Sequence, residues 1–225
     1  MQSRGAVGAA DAAAARVYSH LRGGGIETGA DLWDELAALG CLLFDWGQRD
    51  PAVVEVLELR RQDVDDAGLR VLAHRVLGAC GFDPGFRLAP ERLDRLHEAL
   101  DVAARDLPAQ WSTEEPRLVV TTMCGESLEQ AVIELSGGYV HGTPIWPRSG
   151  DTEASARAAV AELLQEVTME RRRTVWPVCL VHDLGLHAEL ADGAAVWHCS
   201  GGDADQKAGR RAASGHVVAD IGALR

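Results

Sequence analysis

Two cysteines and three histidines fall within one stretch of the 225-residue chain, WPVCLVHDLGLHAELADGAAVWHC, residues 176–199. Only three further cysteines and five further histidines are spread over the rest. Thiolate sulfur and imidazole nitrogen are the ligands zinc prefers, and four of them in a tetrahedron close a structural site. Cys179 and His182, with two residues between them, have the spacing of paired ligands on one tight turn. His187 and Cys199 complete an expected set of Cys179, His182, His187 and Cys199, with His198 and His216 as substitutes for His187. Two thiolates in that set balance the double positive charge of zinc.

Asp192-Gly193 is a hairpin turn signal. A hairpin pivoting there runs Leu186–Ala191 back against Ala194–Cys199 and brings Cys199 towards the Cys179–His182 turn. So short a hairpin is marginal alone, and a metal cross-link replaces the core it lacks. Over these residues alone the chain resembles small zinc knuckles and zinc hairpins. Four protein ligands point to a structural ion, because a catalytic one keeps a position for water. In the three-ligand alternative, Glu189 or Asp183 is the base beside an open zinc, as a hydrolase requires. The plainer reading makes Cys199 a buried strand thiol and the histidines surface residues.

Cys124, in Met-Cys-Gly-Glu-Ser, carries the sharpest enzyme hypothesis in the chain. A thiol between a strand and a helix N-terminus gains acidity, and His141 is its candidate base for acyl or thioester transfer or hydrolysis. The competing reading is a small buried residue at a strand end. Asp63, Asp65 and Asp66 read as first-turn acids that complement a helix dipole rather than as metal ligands. Gly23-Gly24-Gly25 lacks the Lys-Ser/Thr of a phosphate loop.

The elements that must position these groups give an α+β protein: an N-terminal helical bundle, a small antiparallel β element, a long helix and a C-terminal metal-stapled β-hairpin. Residues 1–28 read as a mobile tail and an Ala-rich helix starting near Ala9. Residues 29–110 read as the bundle. Within it Leu32, Leu36, Leu39, Leu43 and Trp46 recur at helical spacing, followed by Leu69, Leu72, Val76 and Cys80, then by Leu93, Leu96, Leu100, Ala103 and Leu107. Asp50-Pro51 predicts a capped start for a short helix between the first two. Residues 117–175 form an α+β segment. Its strand is Arg117–Met123; Glu126–Leu135 fits a hairpin strand better than the helix that Ser127 and Gln130 would cap. The helix after Asp151 buries Ala156, Val160, Leu163 and Val167. Residues 176–225 hold the zinc hairpin, with a mobile loop at 200–215.

Net charge is −12, spread along both halves. An acidic chain whose only dense basic run is Arg171-Arg172-Arg173 lacks the cationic face that phosphate backbones demand, so nucleic-acid binding is disfavoured. No apolar run reaches the length of a membrane span. The odd cysteine count without a secretory pattern points to reduced thiols in the cytoplasm. Arginine supplies all but one of the 22 basic residues, a mark of GC-rich bacterial coding sequence. With no catalytic constellation beyond Cys124 and His141, the expected function is that of a non-enzymatic adaptor or regulator that binds another protein.

Overall fold

Helix α2, Gly29–Asp45, shows how directly the apolar spacing becomes a core. Leu32, Leu36, Leu39 and Leu43 are all 5% exposed or less. Trp46, the fifth member of the stripe, lies past the end of the helix in a turn and is exposed. The computed structural model describes residues 3–23, 29–111, 115–122, 129–201 and 215–224. They fall into two compact units, Met1–Pro84 and Gly85–Arg225. The glycine run of residues 23–25 lies mostly outside the described residues, as does nearly all of the loop expected at 200–215.

In the first unit, α1 spans Ser3–Arg22, so the helix begins before Ala9. It buries Ala10, Ala13, Ala14 and Val17 beside α2, α3 (Pro51–Glu58) and α4 (Asp66–Ala79). Small side chains let α1 come close, and aliphatics on the other helices fill the remaining space. The Asp50 side chain accepts the Ala52 N–H at 2.8 Å, with Pro51 in the first turn of α3. The acidic triplet has the same kind of role. Asp65 caps α4 by accepting the Gly68 N–H at 2.7 Å, Asp66 occupies its first turn and pairs with Arg61, and Asp63 ends a single 3-10 turn.

The second unit corrects the expected extent of the bundle. Helix α5, Pro90–Ala103, buries Leu96, Ala99, Leu100 and Ala103 in the core of this unit, with residues of α6 and the sheets. A seam at steps of three and four reveals which face of a helix is buried, not what covers it. Strands β1 (Arg117–Thr122), β2 (Glu129–Leu135) and β3 (Tyr139–Val140) form an antiparallel sheet in that order. Residues 129–135 are therefore strand, as the hairpin reading requires. Helix α6, Glu153–Arg172, buries Ala156, Val160, Leu163 and Val167 as expected. Its cap is Thr152, in a capping box with Ser155; the neighbouring Asp151 carboxylate instead takes the Arg92 guanidinium at 2.6 Å.

Strands β4 (Val178–Cys179), β5 (Leu184–Ala191), β6 (Ala194–Cys199) and β7 (His216–Asp220) form a second, curled antiparallel sheet in chain order. Asp192 and Gly193 take positive φ, 49° and 81°, which is the backbone of a two-residue hairpin turn whose twist suits the strands. Trp111, Trp176 and Trp197 stack edge to face, with ring centroids 6.0 and 5.7 Å apart, behind this sheet. The buried Asp106 carboxylate ties the end of the chain to that stack. It accepts Trp197 Nε1–H at 2.7 Å, the Gly222 N–H at 2.6 Å and the Leu224 N–H at 2.8 Å.

Candidate metal centre

β4 ends at Cys179, and residues 180–183 turn the chain back into β5. The turn is closed by the Asp183 N–H donating to the Cys179 carbonyl at 2.8 Å, with Asp183 at φ 54°. It aims His182 back over Cys179, and the imidazole Nδ1 lies 3.6 Å from the Cys179 sulfur. The same nitrogen is 3.4 Å from the sulfur of Cys199, which ends β6. His216, which opens β7, brings Nε2 to 3.8 Å from the Cys179 sulfur. The four donor atoms all lie within 4.8 Å of one another. Zinc–sulfur bonds of about 2.3 Å and zinc–nitrogen bonds of about 2.0 Å, at tetrahedral angles, separate a sulfur from a nitrogen by about 3.5 Å. The three measured sulfur–nitrogen separations bracket that value. Cys179, His182, Cys199 and His216 can therefore hold a metal ion.

Register explains which residues meet. In an antiparallel pair, residues directly opposite point to the same face, and their neighbours to the other. Cys199 faces Leu186 across β5 and β6, so His187 faces His198 on the reverse side of the sheet. Neither His187 nor His198 joins the cluster. His198 pairs with Glu189 at 3.6 Å, and His187 lines a cleft with His141 and Glu166. His216 takes the place expected for His187 through an irregularity in the next ladder. Trp197 pairs with Ala219 but His198 with Val217, so Val218 is the extra residue of a β-bulge. Without that bulge Cys199 would oppose Val217; with it, Cys199 opposes His216.

The chain supports both sulfurs through backbone donors. Burial raises the Cys179 thiol, but N–H donation from His182 and Val181, with the Cys199 thiol, brings it below the ordinary cysteine value. Burial pushes Cys199 up; the Gly201 N–H, 3.3 Å from its sulfur, opposes this, and the Cys179 sulfur beside it adds to the rise. The two thiols are thus shifted in opposite directions, the arrangement expected when two ionisable ligands share a site with nothing positive between them. Both cysteines are at most 1% exposed, and both histidines are half-buried. Gly201 packs against the His182 ring, and Gly215 against the His198 ring and the Cys199 backbone. A Cβ on Gly201 would stand 2.6 Å from Cγ of His182, and one on Gly215 would stand 2.3 Å from the Cys199 carbonyl oxygen.

No family model, no curated protein and no solved structure matches this chain. Cys124 lies outside the described residues, and with it any pairing with His141, which is exposed at the rim of the cleft. Because β2 begins at Glu129, no helix runs through 129–135 to lower the Cys124 thiol. Glu189 and Asp183 offer no ligand atom to the cluster. Sequence reasoning named His216 only as a substitute and passed over Gly201 and Gly215, whose sole signal is that they flank the ligand-bearing strands.

Proposed function

We propose that the protein is a non-enzymatic adaptor or regulator in which a structural zinc ion stiffens a surface that docks on another protein. The observation that carries this reading is the four-ligand Cys2His2 cluster joining the first and last strands of the curled sheet. Zinc suits two thiolates and two imidazoles by charge and softness, and four protein ligands leave no position for a reacting water. The turn between the first two ligands presents Leu180 and Val181 at 92% and 79% exposure. Adjacent aliphatics that expose this much apolar surface, on a turn held at its base by a metal, are suited to contact rather than to catalysis. Thiolate ligands favour a reducing compartment such as the cytoplasm. Among the described residues no helix is long and apolar enough to cross a membrane. The charge of −12 favours a protein partner over nucleic acid.

Elemental analysis of the purified full-length protein tests the zinc. A single zinc ion per chain is expected, removed by Cys199→Ser together with protease resistance of residues 176–224. The docking surface is tested by Leu180→Glu with Val181→Glu. This variant should keep its zinc and lose cross-linked partners that the unaltered protein retains at high salt. Equal capture by both proteins would remove the turn from consideration.

A further inference from the structure

We propose that Cys179 and Cys199 form a peroxide-sensitive modification site that releases the metal by becoming a disulfide. This rests on the zinc reading and assigns its regulation.

The two thiols come from β4 and β6, strands that lie on opposite sides of β5, and the curl of the sheet brings their sulfurs within 4.8 Å. A disulfide bond of about 2.05 Å requires the two sulfurs to close by less than about 3 Å. Little movement separates this arrangement from a covalent bond. Cys41 and Cys80 lie in the other unit, α2 holding Cys41 and Cys80 ending α4, and neither belongs to a cluster of metal-binding side chains. Cys179 and Cys199 are the one pair of thiols that share such a cluster among the described residues.

The chemistry balances with hydrogen peroxide as oxidant. One thiolate attacks a peroxide oxygen, the O–O bond breaks, and the departing hydroxide takes a proton to leave as water. The resulting sulfenic acid is attacked by the second thiolate; the S–S bond forms, the S–O bond breaks, and a second water leaves. Two electrons pass from the sulfurs to the peroxide, and two protons are consumed. The ion loses both of its anionic ligands. Two neutral imidazoles do not hold zinc at micromolar concentrations, so it departs as a divalent cation.

The structural consequence follows from which strands the ligands join. A disulfide keeps β4 and β6 together, but His182 and His216 lose their common partner. The base of the Leu180–Val181 turn and the bulged start of β7 are then freed at once. Oxidation would thus loosen the surface that the metal stiffens while leaving the α5–α6 core intact.

The test uses full-length protein with Cys41→Ser and Cys80→Ser, loaded with zinc and exposed to hydrogen peroxide. Zinc release is followed with a chromogenic chelator, and the oxidised protein is mapped by peptide mass spectrometry. Release in step with a Cys179–Cys199 disulfide, reversed by a thiol reductant and added zinc, is the expected result. Zinc that stays bound at peroxide doses that oxidise Cys124, or release accompanied by sulfinic acids and no disulfide, would overturn the proposal while leaving the zinc site standing. Protein that takes up no zinc before peroxide is added would overturn both. Cys199→Ala is not a substitute for this experiment, because it removes a ligand before oxidation begins.

Discussion

Cys199 faces His216 directly across the β6–β7 ladder, and it does so because Val218 is bulged out of register. One extra residue in β7 therefore decides the fourth ligand of the centre. The expected consequence is an asymmetry among the histidines. His216→Ala and His182→Ala should each weaken zinc binding by more than about a hundredfold, beyond the range known for residues that merely support ligands. His187→Ala and His198→Ala should leave zinc content unchanged, since both side chains lie on the reverse face. Competition with a zinc chelator across the four variants measures this. Equal losses from His187→Ala would show that the register is wrong. Deleting Val218 removes only the extra residue and leaves Val217 opposite His198 and His216 opposite Cys199, so it should retain zinc, unlike His216→Ala.

Gly201 offers a second test that leaves every ligand in place. Its N–H donates to the Cys199 sulfur at 3.3 Å, and a Cβ there would come within 2.8 Å of His182 Nδ1. Gly201→Ala must push the imidazole away from its place between the sulfurs. A drop in zinc affinity of about ten- to a hundredfold is expected, with helical content unchanged. Circular dichroism and chelator competition separate this from general unfolding.

Much of this centre was legible in the residues. The two-residue spacing of Cys179 and His182 located the turn, and Asp192-Gly193 located the hairpin. The same hairpin already disfavoured His187. With a two-residue turn at 192–193, Ala191 pairs with Ala194 and Cys199 with Leu186, so His187 must point the other way. That step needs only counting. The same counting turns His198, next to Cys199 on β6, to the reverse face. What was not legible is that His216 would stand opposite Cys199, because a bulge leaves no mark in Val217-Val218. The core stripes of α2, α4 and α6 were equally plain, since period alone identifies a buried face. What α5 packs against was not, because partner choice is set by tertiary contacts that a single helix does not encode.

Asp106 holds structure that no local pattern announces. Its carboxylate accepts from Trp197 Nε1 and from two backbone N–H groups past β7, so it fastens the end of the chain beneath the metal-bearing sheet. Asp106→Ala strands three donors in a buried place and should cost about 3 kcal/mol or more. Asp106→Asn retains an acceptor oxygen of similar shape and should cost about half as much. Denaturant unfolding followed by tryptophan fluorescence reads both. Because Trp197 stands two residues before Cys199 on the same face of β6, both variants should also shed zinc faster than the unaltered protein.

Cys80 gives the N-terminal unit a pH dependence of its own. Burial raises its thiol above the ordinary value of 9.0; N–H donation, from Phe82 first, opposes this only in part, and nearby Asp11 adds to the rise. The protonated sulfur also sits 3.3 Å from the Leu77 carbonyl, to which it donates. A raised pKa in the folded state means that folding favours the proton. The stabilisation is fully present below 9.0, where the unfolded thiol is also protonated, and is lost as pH rises through that value towards the higher folded one. The unaltered protein should therefore lose more stability than Cys80→Ala between neutral pH and pH values above the thiol range. Comparing their denaturation midpoints at both ends isolates the thiol from lysine and tyrosine titration, which the two proteins share. Parallel curves would mean that Cys80 is no more buried in the folded state than in the unfolded chain.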